Sequence, residues 1–374
     1  MSDKVGKAIL FSCGDISGDR YVGAMVRLLR RRFPDVDVFA LGGEESASSG
    51  AQLLYSTASL STFGLLEAIG SLRQWWKAWN LARLFIRTYR PQAVVLVDNP
   101  GFNFRLAHFC RKQRIPVVYF APPQVWAWGK KRGWELARLA DWIFPLFPWE
   151  VPYFSSGRAC VRWAGHPLLE LLRQGLPDIW EVFSEIPWVV LLPGSRRAEV
   201  LRYLEVVQEY LQRNPSLGDS YRLVAVAASP ELRTLLTEKL CQFSVTVVMK
   251  KELPRVLRNA SLAIACAGTV TLEVALAGVP QIIVYRLSPF TFWVAKMVFQ
   301  ESFIGLPNIV LGERIYPELI QDDFSWRNLQ REVENMLQDA QIREKALFWA
   351  RQIRERLDRG DPFAQVVEVL GTYL

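Results

Sequence analysis

Apolar runs of four to six residues recur along the chain, and most end at Gly, Pro, Asp or Asn. Such runs suit strands buried on both faces of a parallel sheet. They predict strands at 8–13, 36–41, 93–97, 117–120 and 160–163, and again at 189–192, 222–226, 245–249, 262–266 and 281–285. Helical periods fall between them. One follows Asp19 and runs to about Phe33, one spans 65–90, one spans 250–259, and amphipathic helices fill the tail after Asp322. Two successive alternating halves, dividing near 166–187, predict an α/β fold of two doubly wound parallel-sheet domains around a cleft. The expected domains are 1–170 and 171–374, with the C-terminal helices in the second.

The helix at 65–90 sets Ala68, Leu72, Trp75, Trp79, Ala82 and Ile86 on one face and Arg73, Lys77 and Arg87 on the other. Most of the apolar face would cover the sheet. Trp75, Trp76 and Trp79 beside a basic stripe also suit docking on anionic lipid.

The strongest chemical signal is Leu192-Pro193-Gly194-Ser195-Arg196, directly after an apolar strand. Ser195 is placed to cap the next helix, with Glu199 in its first turns. A strand, a Gly turn and a helix start offer backbone N–H groups and a dipole end to an anion. Arg196 could fork two phosphate oxygens. Alone, the segment is equally an ordinary turn with a surface arginine. A second such start at Gly268-Thr269 tips the reading toward a nucleotide site. Glu273, one turn on, can take both hydroxyls of a ribose. In the first half Asp98 ends a buried strand, where ligands of open α/β sheets bind, or else caps the next helix. The loop Gly14-Asp15-Ile16-Ser17-Gly18-Asp19 lacks the glycine spacing of a dinucleotide fingerprint.

The chain has 374 residues, 51% of them apolar, enough for two globular cores. Its five cysteines are scattered and odd in number, which suits reduced thiols in a cytosolic protein. Two histidines rule out a histidine-rich metal site. The net charge of +8 favours anionic partners. No nucleic-acid motif accompanies it, so a phosphorylated substrate or an anionic membrane surface is the expectation. The N-terminus lacks a signal-peptide core, and no apolar run reaches spanning length. The expected location is cytoplasmic, peripheral on the inner face of the cytoplasmic membrane.

Several segments in order resemble one family. They are Gly14 to Asp19, Asp98-Asn99-Pro100-Gly101-Phe102-Asn103, Val125-Trp126-Ala127-Trp128, Gly165-His166, Leu192 to Val200, and Gly268 to Glu273. Pro289-Phe290-Thr291-Phe292-Trp293 and Leu306-Pro307-Asn308 complete the set. The chain resembles lipid-A-disaccharide synthase, a family of bacterial inverting glycosyltransferases of the GT-B type, with two Rossmann-like domains. The resemblance implies a UDP-linked acylated glucosamine donor and an acylated glucosamine phosphate acceptor. The products would be a β(1→6) disaccharide 1-phosphate and UDP, made without a cofactor. It implies a second half that holds UDP. There Gly194, Ser195, Arg196, Gly268 and Thr269 would meet the diphosphate, Glu273 the ribose, and Asn308 would lie near the nucleotide. In the first half Asp15, Ser17, Asp19, Asn103 and Trp126 would contact the acceptor. Asp98 would be the base, if within about 3 Å of the acceptor hydroxyl, with His166 in reserve.

Three departures fall in the acceptor half. Asp15 stands for the family's glutamate, Gly101 for its second aspartate, and residues 121–124 for its usual Ser-Pro-Ser. In the nucleotide half Ala267 stands where Ser is usual. The departures therefore bear on the acceptor more than on the donor. Two alternatives stay open. One is another UDP-sugar enzyme, an epimerase or a transferase to a different lipid. The other is a non-catalytic binder of UDP or anionic lipid. A homo-oligomer is compatible with either.

Overall fold

Strands form where the apolar runs lie. In a computed structural model, which describes residues 6–57, 68–125, 130–175, 186–287 and 303–374, they assemble into two parallel sheets. The first contains β1 (Ala8–Ser12), β2 (Asp37–Gly42), β3 (Gln52–Ser56), β4 (Ala93–Val97), β5 (Val117–Phe120), β6 (Trp142–Phe144) and β7 (Cys160–Val161). Its strand order is β3-β2-β1-β4-β5-β6-β7. The order reverses between β1 and β4, which pair through Ile9–Ala93 to Ser12–Leu96. A crevice opens at the carboxyl ends of strands at such a reversal, and ligands bind there.

The second sheet contains β8 (Trp188–Leu192), β9 (Arg222–Ala227), β10 (Thr246–Met249), β11 (Ala260–Cys266), β12 (Gln281–Tyr285) and β13 (Glu318–Ile320). Its order, β10-β9-β8-β11-β12-β13, reverses between β8 and β11. Each sheet thus has the doubly wound order that the alternation predicted.

Four helices of the first unit matter below, α1 (Ile16–Arg32), α2 (Glu44–Ser48), α3 (Ala68–Tyr89) and α4 (Pro100–Lys112), together with α5 (Pro167–Gly175), in which the chain passes from the first unit to the second. The second unit contributes α6 (Arg197–Arg213), α7 (Thr269–Leu276) and α8 (Leu306–Leu311). The helix expected at 250–259 is regular only over Leu253–Asn259.

The tail differs from expectation. The compact units are Met1–Glu170 with Leu357–Leu374, and Leu171–Arg356. The last helix, α9 (Pro362–Gly371), therefore belongs to the first unit. Its Phe363 packs against Tyr21 and Phe120, at ring separations of 6.1 and 5.8 Å. Amphipathic spacing marks the apolar face of a helix but not the surface that face covers.

The face of α3 matches expectation at Trp75, Trp79, Ala82 and Ile86 and departs from it at Leu72. Ala78, Ala82, Phe85 and Ile86 are the buried set, and Trp75 and Trp79 are partly buried against it. Leu72, expected on that face, is 66% exposed, and Trp76 is 67% exposed. Among the described residues no helix is long and apolar enough to cross a membrane.

Candidate functional site

In the first unit the loops after β1 and β4 lie side by side at the sheet's reversal point. They pack so closely that a Cβ on Gly14 would run into the Asn99 amide. Asp98 and Asn99 are both left-handed, with φ of 46° and 47°. Two such residues in succession are costly for non-glycine side chains and persist only where neighbours over-determine them. The neighbours are Asn103 and Tyr119. Asn103 is 0% exposed; its Nδ2 donates to the carbonyls of Val97 and Asp98 at 3.1 and 2.8 Å. Its Oδ1 accepts from Ser12 Oγ at 2.8 Å, tying β1 to the turn. The Tyr119 hydroxyl donates to the Asp98 carbonyl at 2.7 Å. Sequence reasoning missed Tyr119, because nothing marks one aromatic in an apolar strand.

Asp15, Asp19 and Asp98 converge on the buried Cys13. Burial first, then the charges of Asp19, Asp15 and Asp98, push its thiol well above the usual range. Asp15 caps α1, its Oδ1 accepting from the Gly18 N–H at 2.7 Å. Ser17 is half-buried in the first turn of that helix.

Three expected ligand contacts hold the scaffold: Asp19, Asn103 and Asn308. Asp19 is 3% exposed, and its carboxylate accepts from the N–H groups of Gly43, Glu45 and Ser46 and from the Ser46 hydroxyl. It anchors the start of α2. Asn103 holds the Asp98 turn, as described. Asn308 is buried, bonded to the backbone of Ile315 and Tyr316 and to the Glu318 carboxylate, so it locks α8 to β13. Ser195, expected to cap α6, is not the cap residue; that position is Arg196, whose side chain makes no capping bond to the helix backbone.

His166 is likewise corrected as a reserve base. It is 2% exposed, and its Nδ1 accepts the Leu168 N–H at 3.2 Å at the start of α5. Burial lowers its pKa to about 3, so the ring stays neutral and is a weak proton acceptor. Trp126 and the 289–293 motif lie outside the described residues.

In the second unit the turns after β8 and β11 are neighbours across the reversal. Gly194 and Gly268 have φ of 103° and 152°, conformations that side chains rarely adopt. Each precedes a helix start, α6 and α7 respectively. Arg196 is exposed, with Nη1 2.7 Å from Glu199 Oε1. Burial, the charge of Glu199 and the opposing charge of Arg196 act together on the Cys266 thiol, pushed up to about 12. Those turns therefore share one electrostatic neighbourhood. Glu273 is buried in α7 and pairs with Lys250 at 3.6 Å. Lys250 was not singled out from sequence, although a lysine ending an apolar strand was a usable signal. Among the described residues no group of three or more His, Cys, Asp or Glu could hold a metal ion.

The sequence model of the Lipid-A-disaccharide synthetase family matches residues 9–362. A lipid-A-disaccharide synthase of Geobacter sulfurreducens is 32% identical, with 99% of each chain covered. One from Coxiella burnetii is 29% identical over 97% of this chain and 98% of its own.

The chain belongs to this family.

As a member it is a glycosyltransferase that forms the lipid A disaccharide. Among solved structures, the S. aureus MnaA–UDP co-structure superposes with a TM-score of 0.69 at 12% identity, covering 98% of this chain and 96% of that one. The glycotransferase of kitacinnamycin gives 0.64 at 14% identity, with 99% of both chains covered. At such identities the likeness concerns the fold alone, and with the two parallel sheets it makes that fold the GT-B type.

Proposed function

We propose that this family member transfers 2,3-diacylglucosamine from UDP to the 6-hydroxyl of 2,3-diacylglucosamine 1-phosphate. The products are the β(1→6) disaccharide 1-phosphate and UDP. The observation that carries this reading is the pair of glycine turns after β8 and β11, which lead into two helix starts at one reversal point. That arrangement supplies N–H donors and two positive dipole ends to a diphosphate. Arg196 adds a full charge beside them. The fold neighbours include S. aureus MnaA with UDP and a Neisseria meningitidis UDP-GlcNAc 2-epimerase bound to UDP-GlcNAc, which gives precedent for this ligand class in this fold.

In the reaction the acceptor oxygen attacks the anomeric carbon as the bond to UDP breaks. Asp98 takes the hydroxyl proton. Charge that develops on the departing diphosphate is stabilised by Arg196 and the starts of α6 and α7, which are fixed before the reaction begins. Glu273 accepts from the ribose hydroxyls, and Lys250 orients its carboxylate. Asp15 and Ser17 line the acceptor side beside Asp98, while Asn103, Tyr119 and Asp19 hold the turns that present them.

The same reading places the protein peripherally on the inner face of the cytoplasmic membrane. The net charge of +8 and the exposed Leu72 and Trp76, with Arg73 and Lys77 on the same helix, support it.

The test is incubation with both acylated sugars and analysis of the products. Disaccharide 1-phosphate and UDP are expected in equal amounts. An epimerised sugar nucleotide formed without acceptor, or no turnover by protein that binds UDP, refutes the assignment.

A further inference from the structure

The turn after β8 carries a charge of the wrong sign for an anion site. Glu199 lies in the first turn of α6, and its side chain is only 14% exposed. A Cβ on Gly194 would stand 3.1 Å from Glu199 Oε2 and 3.5 Å from Cys266 Sγ, so the carboxylate rests against the turn itself. Its charge is felt at the ends of two further strands. After burial it is the largest influence raising the Cys266 thiol on β11 and the Tyr285 hydroxyl on β12, and Arg196 opposes it at both. A carboxylate in that place repels a diphosphate and competes with one for the positive end of α6.

Helix stability does not account for the pair. Arg196 is 69% exposed, and an exposed ion pair one turn apart contributes little. What the pair does is fix a direction. Arg196 Nη1 donates to Glu199 Oε1 at 2.7 Å. The donors of a guanidinium form one planar fork, so holding one arm sets where the others point. An exposed arginine gives up rotamer freedom when it meets an anion. One already held has given up part of that freedom before the anion arrives.

We propose that Glu199 is a positioning residue of the donor site, holding the Arg196 guanidinium at the Gly194 turn in readiness for the diphosphate. This rests on the reading that the second unit takes UDP. The like charge of Glu199 is tolerated there because Arg196 neutralises it and is oriented by it.

Titration calorimetry of UDP with wild type, Glu199→Ala, Arg196→Ala and the double variant tests this as a cycle. Glu199→Ala should weaken UDP binding by roughly fivefold or more, although it removes a like charge. In the Arg196→Ala background the same substitution should leave the affinity unchanged or raise it, because only the repulsion is then removed. Glu199→Gln, which keeps an acceptor oxygen at the same reach, should recover part of the loss. In transfer assays Glu199→Ala should lower kcat/KM for the donor and leave KM for the acceptor as in wild type. Equal weakening in both backgrounds, UDP binding by folded Glu199→Ala as tight as wild type, or a Gln variant no tighter than the Ala one would each overturn the proposal. Arginine modification by phenylglyoxal without UDP, read by peptide mapping, separates the two readings. Arg196 should react more slowly in wild type than in Glu199→Ala. If it does and wild type binds no UDP, the donor assignment fails and the hold on Arg196 stands. If wild type binds UDP and Arg196 reacts equally fast in both proteins, the positioning role fails and the donor site stands.

Discussion

His166 should make the protein acid-sensitive in a defined window. Its folded pKa is about 3, lowered by burial from an ordinary 6.5. Above pH 6.5 the ring is neutral in both folded and unfolded chains, and its contribution to stability is complete. Between 6.5 and 3 the unfolded chain takes up a proton that the folded chain does not, so stability falls as pH falls. The slope there is about 1.4 kcal/mol per pH unit. Between pH 7 and pH 4.5 the loss from this one group is about 2.5 kcal/mol. It depends on the folded pKa only through its lying below about 4. The perturbation is His166→Asn, whose Oδ1 can still accept the Leu168 N–H but does not titrate. Urea unfolding of both proteins at pH 7 and pH 4.5 gives four midpoints. Carboxylates that titrate in acid affect both proteins alike and cancel in the difference. The wild type should lose about 2.5 kcal/mol more than the variant over that interval. Equal losses would show that the imidazole protonates freely in the folded protein, and His166 would return as a candidate base. Transfer by the folded variant should persist, with the kcat–pH profile unchanged.

Arg196→Ala should weaken UDP binding by roughly 1.5–3 kcal/mol, the range for a charged hydrogen bond; calorimetry that shows no UDP binding by folded wild type would refute the donor site. Asp98→Asn should lower kcat by roughly 10²–10⁴-fold in single-turnover transfer while UDP binding stays the same. Near-wild-type transfer would move the base role to Asp15. Leu72→Ser with Trp76→Ser should reduce flotation with anionic vesicles, and wild-type flotation should weaken as salt rises. A wild type that stays unbound at low salt would refute membrane attachment.

Fold legibility followed burial. β1, β4, β5, β8 and β12 are apolar apart from Ser12 and Gln281 at strand ends, because both faces are covered, so their sequences announce them. β3 is an edge strand with exposed Gln52, Leu53 and Ser56, and β6 and β13 have three residues each. None of these gives a run long enough to read. The turns at the two reversal points were legible because glycine and proline punctuate them. What each polar side chain does there was not. Asp15 and Asp19 look alike on paper, yet Asp15 caps its own helix and Asp19 caps the next one.

That division of labour explains why the first unit spends so many buried polar groups around one carboxylate. Asp98, Asn99 and Ala121 all follow parallel strands and all have positive φ. At about 1–2 kcal/mol each, such conformations would relax in a loosely held loop. The Asn103 amide and the Tyr119 hydroxyl both bond the Asp98 carbonyl, so relaxation of that turn would leave buried donors unpaired. The penalty for that is about 1–3 kcal/mol per group, comparable to the strain that is held. The Asn103 clamp also reaches Ser12 on β1. The Asp98 turn is thereby fixed to two adjacent strands, and rigid strands position a reacting carboxylate more closely than a free loop does.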